Sequence, residues 1–508
     1  MIEFRENPIE RRVKLTTAGD HPERGVWGSR LGFLLAAIGS AVGLGNIWRF
    51  PYMAYSNGGG AFLIPYGVAF LTVGLPLLLL EFGLGHRTGK SAPLAMAEAG
   101  KCWEWVGWWA LFIGMFGVNP YYCVIIGWTV DYFVYAVGLA WGADPGTFFF
   151  KEFLGQTSGP GDLGGFRWPI LIGTLLVWGT TWGVTRREVR RGIELANKIM
   201  IPTLFLLIIV LVFWSLTLEG ARAGIRAYLT PDFAALKRPR VWVDAYAQIF
   251  FSMSLGFGIM VAFASYLPRE SPVGRSALTV GVADGLFAVF AGFAIFATLG
   301  YMSQVVGKPV GEVVTQSIGL AFVVYPEAIN KLPAMRPLFG AIFFLALALA
   351  GISSAISLTE AFVAALVDKF RMERRRAVTI LCSAGVLLSL TFTTGGGLFW
   401  LDIVDHFITH YGLVTIGVLE AVFIGYILKP RFIRDHLNQH RKFRLTGRWD
   451  LAVMVLIPLI LILVIGLDLL EELRGPYGNY PWTAILLLGW GWLAVLAGGA
   501  AWMTRQNG

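Results

Sequence analysis

Two short runs hold the residue types most able to do chemistry in this chain. Gly39-Ser40-Ala41-Val42-Gly43-Leu44-Gly45-Asn46 and Ser252-Met253-Ser254-Leu255-Gly256-Phe257-Gly258 each interleave glycine with hydroxyl or amide side chains inside an apolar stretch. Glycine permits non-helical backbone and close approach to a ligand. Where a helix is interrupted, free N–H groups at one end suit an anion and free carbonyls at the other suit a cation. Asp284, Glu81, Glu360 and Glu420 lie in equally apolar surroundings, and an ionisable group there marks a functional-site candidate because it is costly to keep. Other constellations fall short. His436-Leu-Asn-Gln-His440 lacks the central glutamate of a zinc-protease helix. Gly43 and Gly45 lack the third glycine and preceding strand of a dinucleotide site, and Gly395-Gly-Gly397 reads as a turn. No Ser/His/Asp set or phosphate loop stands out, so no enzyme is expected. Cys102, Cys123 and Cys382 have neither metal-site spacing nor a disulfide framework.

The elements that must position these residues read as membrane spans. Of 508 residues, 56% are hydrophobic and 14% charged, against roughly a quarter charged in soluble domains. The solvent is therefore a lipid bilayer, and the formal charge of +9 is read as membrane orientation, not as nucleic-acid binding. A span takes about 20 apolar residues. Twelve are read, at 31–54, 61–84, 105–139, 168–184, 193–216, 242–266, 276–302, 337–368, 377–394, 399–428, 450–470 and 482–503. Basic residues crowd the loops 86–101, 184–192, 369–376 and 429–448, all on the side of the basic N-terminus. The positive-inside rule makes that side, with both termini, cytoplasmic. The loop 217–241, with Arg222, Arg226, Lys237, Arg238 and Arg240, runs against the rule. Residues 1–29 are polar and basic, without the apolar core of a secretory signal. The glycine-rich runs then fall in spans 1 and 6, five spans apart. Interrupted helices at corresponding places in two halves point to an inverted-repeat transporter with its site at the midplane; packing of helices through small residues is the competing reading.

"GSAVGLGNIWRFPYMAYSNGGGAFLIPY" (39–66) resembles the first and second helices of the neurotransmitter:sodium symporter family, "QIFFSMSLGFG" (248–258) its sixth helix and "AGISSAIS" (350–357) its eighth. The likeness runs from about Trp27 to the last span. It implies an all-α integral membrane protein of twelve helices, in which two inverted five-helix repeats with broken helices 1 and 6 are followed by two extra helices. The divisions would be a cytoplasmic tail 1–29, a first repeat 30–216, an extracellular loop 217–241, a second repeat 242–428, a cytoplasmic loop 429–449, and the last two helices with a short tail, 450–508.

The resemblance also implies a site. An amino acid's carboxylate would meet the N–H groups of Leu44 and Gly45 and the hydroxyl of Tyr122. Its ammonium would meet the carbonyls of Ala41, Phe251 and Ser252, near Ser254. The side-chain pocket would be Val118, Tyr122, Phe251, Phe257, Ser354 and Leu358, with Ser40 at its edge, suiting a neutral apolar side chain such as that of alanine, valine, leucine or methionine. Gly43 stands where amine-transporting relatives carry aspartate, which argues for a substrate with its own carboxylate. Two sodium ions are implied. Asn46, Ser252, Asp284 and the Ala41 carbonyl would hold the first, together with the substrate carboxylate. The carbonyls of Gly39, Val42 and Ala350 and the hydroxyls of Ser353 and Ser354 would hold the second. Many members have asparagine where this chain has Asp284, and need chloride nearby; Asp284 would make transport chloride-independent, beside Tyr66, Gln248 and Ser252 and with Ala288 one turn on. Glu81 would satisfy the unwound backbone of helix 6. Arg49 with Asp405 would form the outer gate, over an aromatic lid of Tyr122 and Phe251. Arg24 with Asp368, among Trp27, Ser265 and Tyr266, would form the inner one. Residues 306–335 would form an outer cap. The short 140–167 loop and the absence of glycosylation sequons point to a prokaryotic plasma membrane. A proton-coupled or exchange carrier of the same fold, and a membrane sensor that binds without transporting, are the alternatives. The oligomeric state is not legible.

Overall fold

The computed structural model describes residues 25–313, 317–439 and 444–507. Within them the regular structure is helical, with one isolated bridge between Phe166 and Thr394. Among the described residues, nine helices are long and apolar enough to cross a membrane, or ten if a bent pair counts as one span. In chain order the helices are α1 (Arg30–Ala41 and, bent by 56°, Gly45–Ser56), α2 (Gly59–Thr88), α3 (Lys101–Gly138), α4 (Trp168–Thr185), α5 (Arg190–Leu216), α6 (Pro239–Ser252 and Ile259–Ser265), α7 (Val273–Val306), α8 (Arg336–Phe370), α9 (Arg374–Phe392), α10 (Gly397–Leu428), α11 (Gly447–Asn479) and α12 (Trp482–Arg505). The two outside the count of ten sit where spans 4 and 6 were expected. α4 is only 18 residues long and is interspersed with Trp, Thr and Gly. α6 is cut into pieces of 14 and 7 residues.

Burial separates centre from rim. In the most apolar stretch of α3, 83% of residues are buried, and in that of α8, 72%; in α11 the share is 28%. α11 and α12 instead expose Leu459, Leu463, Leu487 and Val495, a surface that suits lipid. Small residues allow close packing near the site. A Cβ on Gly85 of α2 would collide with the Val261 carbonyl in the second half of α6, so these helices touch backbone to backbone. Short helices not expected from the sequence fill the loops. Ala92–Met96 follows α2, and Ala221–Leu229 lies on α7 with Tyr228 stacked on Phe296 at 4.9 Å. Part of the expected outer cap is helical, at Tyr325–Lys331, where Tyr325 stacks on Phe343 of α8 at 3.9 Å.

A buried ion pair ties three elements at one end of the bundle. Lys369 Nζ of α8 lies 2.6 Å from Glu104 Oε1 of α3 and donates to the Met503 carbonyl of α12. Glu104 also accepts from Trp108 Nε1 at 2.8 Å. Leaving one charge of a buried pair without its partner costs about 3–5 kcal/mol. Lys369→Met should therefore lower the unfolding temperature of the purified protein markedly, and Glu104→Met added to it should recover most of the loss. Thermal unfolding of the three proteins checks this; an unchanged single variant would mean that the pair contributes nothing.

Candidate functional site

The first glycine-rich run breaks α1 as its composition requires. The helix starts at an N-cap, Ser29, whose side chain accepts the Gly32 N–H at 3.0 Å, and it ends where Val42 turns to extended backbone (φ −75°, ψ 95°). Three residues later the chain resumes as a wide π-turn over Gly45–Arg49. Asn46 reaches back so that its Oδ1 accepts the Gly43 N–H at 3.0 Å. The second run breaks α6 between Ser252 and Ile259, with positive φ at Ser254 (52°), Gly256 (77°) and Gly258 (69°). Glycine meets the last two cheaply. Ser254 is held in its unusual conformation while its hydroxyl donates to the Ser40 carbonyl at 2.8 Å, tying one break to the other. The Gly256 N–H, freed by the break, is taken by Glu81 Oε1 of α2 at 2.8 Å. Glu420 of α10 is also fully buried, and it makes no hydrogen bond through either carboxyl oxygen among the described residues.

Between the two breaks lies a cavity. All thirteen residues proposed to bind substrate line it, namely Ser40, Ala41, Gly43, Leu44, Gly45, Val118, Tyr122, Phe251, Ser252, Ser254, Phe257, Ser354 and Leu358, joined by Asn46 and Ile259. Within it the Leu44 N–H points at the Tyr122 hydroxyl across 3.5 Å. A Cβ on Gly43 would stand 3.1 Å from that hydroxyl and 3.3 Å from Ser354 Oγ, so glycine keeps this space open. Val118, Phe251, Phe257, Ile259 and Leu358 give it apolar walls, and no lining residue is charged.

Two clusters of oxygen atoms flank the cavity. In the first, Asn46, Ser252 and Asp284 are buried together. Ser252 Oγ donates to the Asp284 carboxylate, with 3.0 Å to Oδ1 and 2.8 Å to Oδ2. Asn46 Nδ2 lies 2.7 Å from Asp284 Oδ1 and 3.0 Å from Ser252 Oγ. As placed, the Asn46 amide turns its NH2 to the carboxylate, so holding a cation there requires its oxygen to swing inward. The Tyr66 hydroxyl near Gly285 and, one turn before Ser252 on α6, both polar atoms of Gln248 are buried without a hydrogen-bond partner among the described residues. In the second, Ser353 Oγ of α8 lies 2.6 Å from the Gly39 carbonyl and 2.9 Å from that of Ala350. Ser354 Oγ approaches the Gly39, Ser40 and Ala350 carbonyls at 3.3–3.4 Å. Val42, the fifth residue proposed here, caps the first half of α1. Compact sets of hard oxygen donors are what hard cations require.

The closing layers are built from rings and hydrogen bonds. The Arg49 guanidinium sits 5.0 Å over the Phe251 ring, but it makes no direct ion pair with Asp405. The Tyr121 hydroxyl donates to Asp405 Oδ1 at 2.6 Å. At the other end, Arg24 lies outside the described residues, and Asp368 Oδ2 accepts the Ser91 N–H at 2.8 Å. The seal visible there is built around Trp27. Its Nε1 donates to the Phe263 carbonyl at 2.8 Å, and its ring packs edge-on to Phe33, Phe263 and Tyr266. The Tyr266 hydroxyl then donates to Glu360 Oε1, which also accepts from Arg374 Nη1, each at 2.9 Å. Glu360 stood out in the sequence as an acid inside a span; its pairing with Tyr266 and Arg374 did not.

Comparison with known proteins completes the description. The model of a family described as the sodium:neurotransmitter symporter family matches residues 24–144 and 141–498. A Methanocaldococcus jannaschii protein described as an uncharacterized sodium-dependent transporter is 48% identical over 464 residues, covering 91% of this chain and 94% of its own. The human sodium- and chloride-dependent GABA transporter 2 is 30% identical over 519 residues, covering 94% and 85%. Among solved structures, MhsT crystallised with L-phenylalanine superposes with a TM-score of 0.73 at 32% identity, covering 87% of this chain and 99% of its own.

Proposed function

The chain belongs to the sodium:neurotransmitter symporter family and is a sodium-dependent membrane transporter, not an enzyme; from that premise we propose that it imports a small neutral, apolar amino acid together with sodium, by alternating access and without chloride. The observation that carries this reading is the cavity's lining, with an N–H and a hydroxyl 3.5 Å apart, apolar walls from Val118, Phe257, Ile259 and Leu358, and no charged residue. A carboxylate bridges the Leu44 N–H and the Tyr122 hydroxyl, an ammonium takes the carbonyls at the ends of the opposite half-helices, and the side chain enters the space among Val118, Phe257, Ile259 and Leu358. The phenylalanine in the MhsT crystal, a neutral amino acid, is in keeping with this. Two sodium ions are cargo. One uses Asn46, Ser252, Asp284, the Ala41 carbonyl and the substrate carboxylate, which makes ion and substrate binding mutually dependent. The other uses Gly39, Val42, Ala350, Ser353 and Ser354, and joins α1 to α8. Arg49 with Asp405 closes the outer side through the Phe251 lid, and Arg24 with Asp368 the inner. Both termini face the cytoplasm, in a prokaryotic inner membrane.

Uptake by proteoliposomes tests the reading. Labelled leucine should accumulate against its gradient when sodium is outside, and still do so when gluconate replaces chloride. Unlabelled neutral amino acids should compete, and lysine and glutamate should not. Accumulation that survives replacement of sodium by potassium would favour proton coupling or exchange, and binding without accumulation would favour a sensor. A narrower expectation concerns Tyr122→Phe. A hydrogen bond to a charged group contributes about 1.5–3 kcal/mol, so this variant should bind leucine some 10- to 150-fold more weakly. Equilibrium binding at saturating sodium measures the change, and an unaltered affinity would remove Tyr122 from the carboxylate site.

A further inference from the structure

A second recess, remote from the cavity, lies at the membrane face where α4 ends and α5 begins. It is a cleft of about 1040 Å3 between the 186–191 turn, the start of α9 and the residues Gly25 and Val26 leading into α1. Six arginines line it against two glutamates, Glu188 and Glu373. Arg374 is spoken for by Glu360 and by the Thr185 and Arg187 carbonyls. The other five, Arg186, Arg187, Arg190, Arg191 and Arg375, are exposed and make no ion pair among the described residues. Among the described residues, five guanidiniums without an ion pair outnumber the two glutamates around this cleft, which favours an anion there, and guanidinium forks match the paired oxygens of a phosphate.

The surroundings say what kind of anion. Leu195, which lines the cleft, is 50% exposed, and Ile199 one turn along α5 and Ile380 on α9 are exposed as well. The recess thus opens onto apolar helix faces that continue into the bilayer. The Arg186 guanidinium rests 3.9 Å over the Trp182 ring, and tryptophan is enriched at the boundary between headgroups and acyl chains. A soluble phosphate would use only the arginines, whereas a phospholipid uses both surfaces. We propose that this cleft binds the headgroup of an anionic phospholipid, with its acyl chains along α5 and α9; basic pockets between helices at a membrane face recognise lipids in this way. The cleft shares a wall with the inner seal. Gly28, one residue beyond Trp27, packs so closely on Arg190 that a Cβ would lie 2.7 Å from its Nε, and Arg374 holds the Glu360 that Tyr266 touches. A bound lipid would therefore brace the start of α1 against α5.

Native mass spectrometry of the full chain in neutral detergent, titrated with phosphatidylglycerol or phosphatidylcholine, tests the proposal. Phosphatidylglycerol should bind the tighter. Each arginine near a lipid phosphate is worth about a fivefold gain in affinity, so Arg187→Gln, Arg191→Gln and Arg375→Gln together should weaken phosphatidylglycerol binding about a hundredfold. Three exposed arginines of the 429–448 loop, changed together as Arg431→Gln, Arg444→Gln and Arg448→Gln, should leave it unaltered. Both triple variants should unfold at the wild-type temperature. Three results would overturn the proposal: equal affinity for the two lipids, equal losses in the two triple variants, or displacement of phosphatidylglycerol by glycerol 3-phosphate at matching concentration, which would mark a site for soluble phosphate.

Discussion

Asp284→Ala should abolish sodium-driven amino acid uptake, and Asp284→Asn should leave uptake that now requires chloride. Asp284 is fully buried and is the one formally charged member of its cluster with Asn46 and Ser252. A carboxylate and a monovalent cation about 4 Å apart, at an effective dielectric of about 20, attract by about 4 kcal/mol, and losing that weakens ion binding about a thousandfold. Alanine removes the charge and a donor oxygen together. Asparagine keeps an oxygen but not the charge, and the Tyr66 hydroxyl and Gln248 amide, buried without hydrogen-bond partners among the described residues, are donors able to serve a chloride ion. Sodium-dependent uptake in chloride and in gluconate, for wild type and both variants, decides the matter. Wild-type uptake by Asp284→Ala, or indifference of Asp284→Asn to chloride, would each count against the assignment.

An effect of similar size is expected at Gly43. A Cβ there meets the Tyr122 hydroxyl at 3.1 Å and Ser354 Oγ at 3.3 Å, so Gly43→Ala should weaken leucine binding through crowding alone. Gly43→Asp adds a negative charge where the substrate carboxylate is proposed to sit, and like charges at that separation repel by about the same 4 kcal/mol. Leucine binding should fall about a thousandfold. Binding of the matching amine, which lacks a carboxylate, should be spared, so that the preference for leucine over the amine narrows or reverses. Equilibrium binding of both molecules to folded protein tests this. A Gly43→Asp variant that keeps wild-type affinity for leucine would show that the carboxylate lies elsewhere.

What could be read from the sequence was whatever composition marks locally. The two helix breaks showed as glycine and serine runs in apolar surroundings, and Asp284 and Glu81 as charges where charge is costly. Ile259 escaped notice because an isoleucine in an apolar half-helix looks the same whether it faces cargo or core; only the break that precedes it turns it inward. Glu360 drew attention, but Arg374 lies 14 residues on, in a basic turn where every arginine looks solvated, and their pairing depends on how α8 and α9 meet. Tyr121 was hidden beside Tyr122, since adjacent residues on a helix face different neighbours. Only tertiary packing puts one against the cavity and the other on Asp405. The π-turns over Gly45–Arg49, Ile113–Val118 and Ile408–Leu413 left no mark in the apolar pattern, because one additional residue in a turn changes the direction of a helix without changing its polarity.

The bond from Ser254 to Ser40 makes the two interrupted helices one lever. Leu44 lies just across the break of α1 from Ser40, whereas Tyr122 belongs to α3, a post buried along most of its apolar stretch, and the two meet across 3.5 Å. A molecule that grips both is a rivet. Cargo lacking its acid group would fasten to one part only, the lever would swing loose, and ions would have no passenger to ride with. Economy of the gradient would then rest on a single small gap that only the proper freight can bridge.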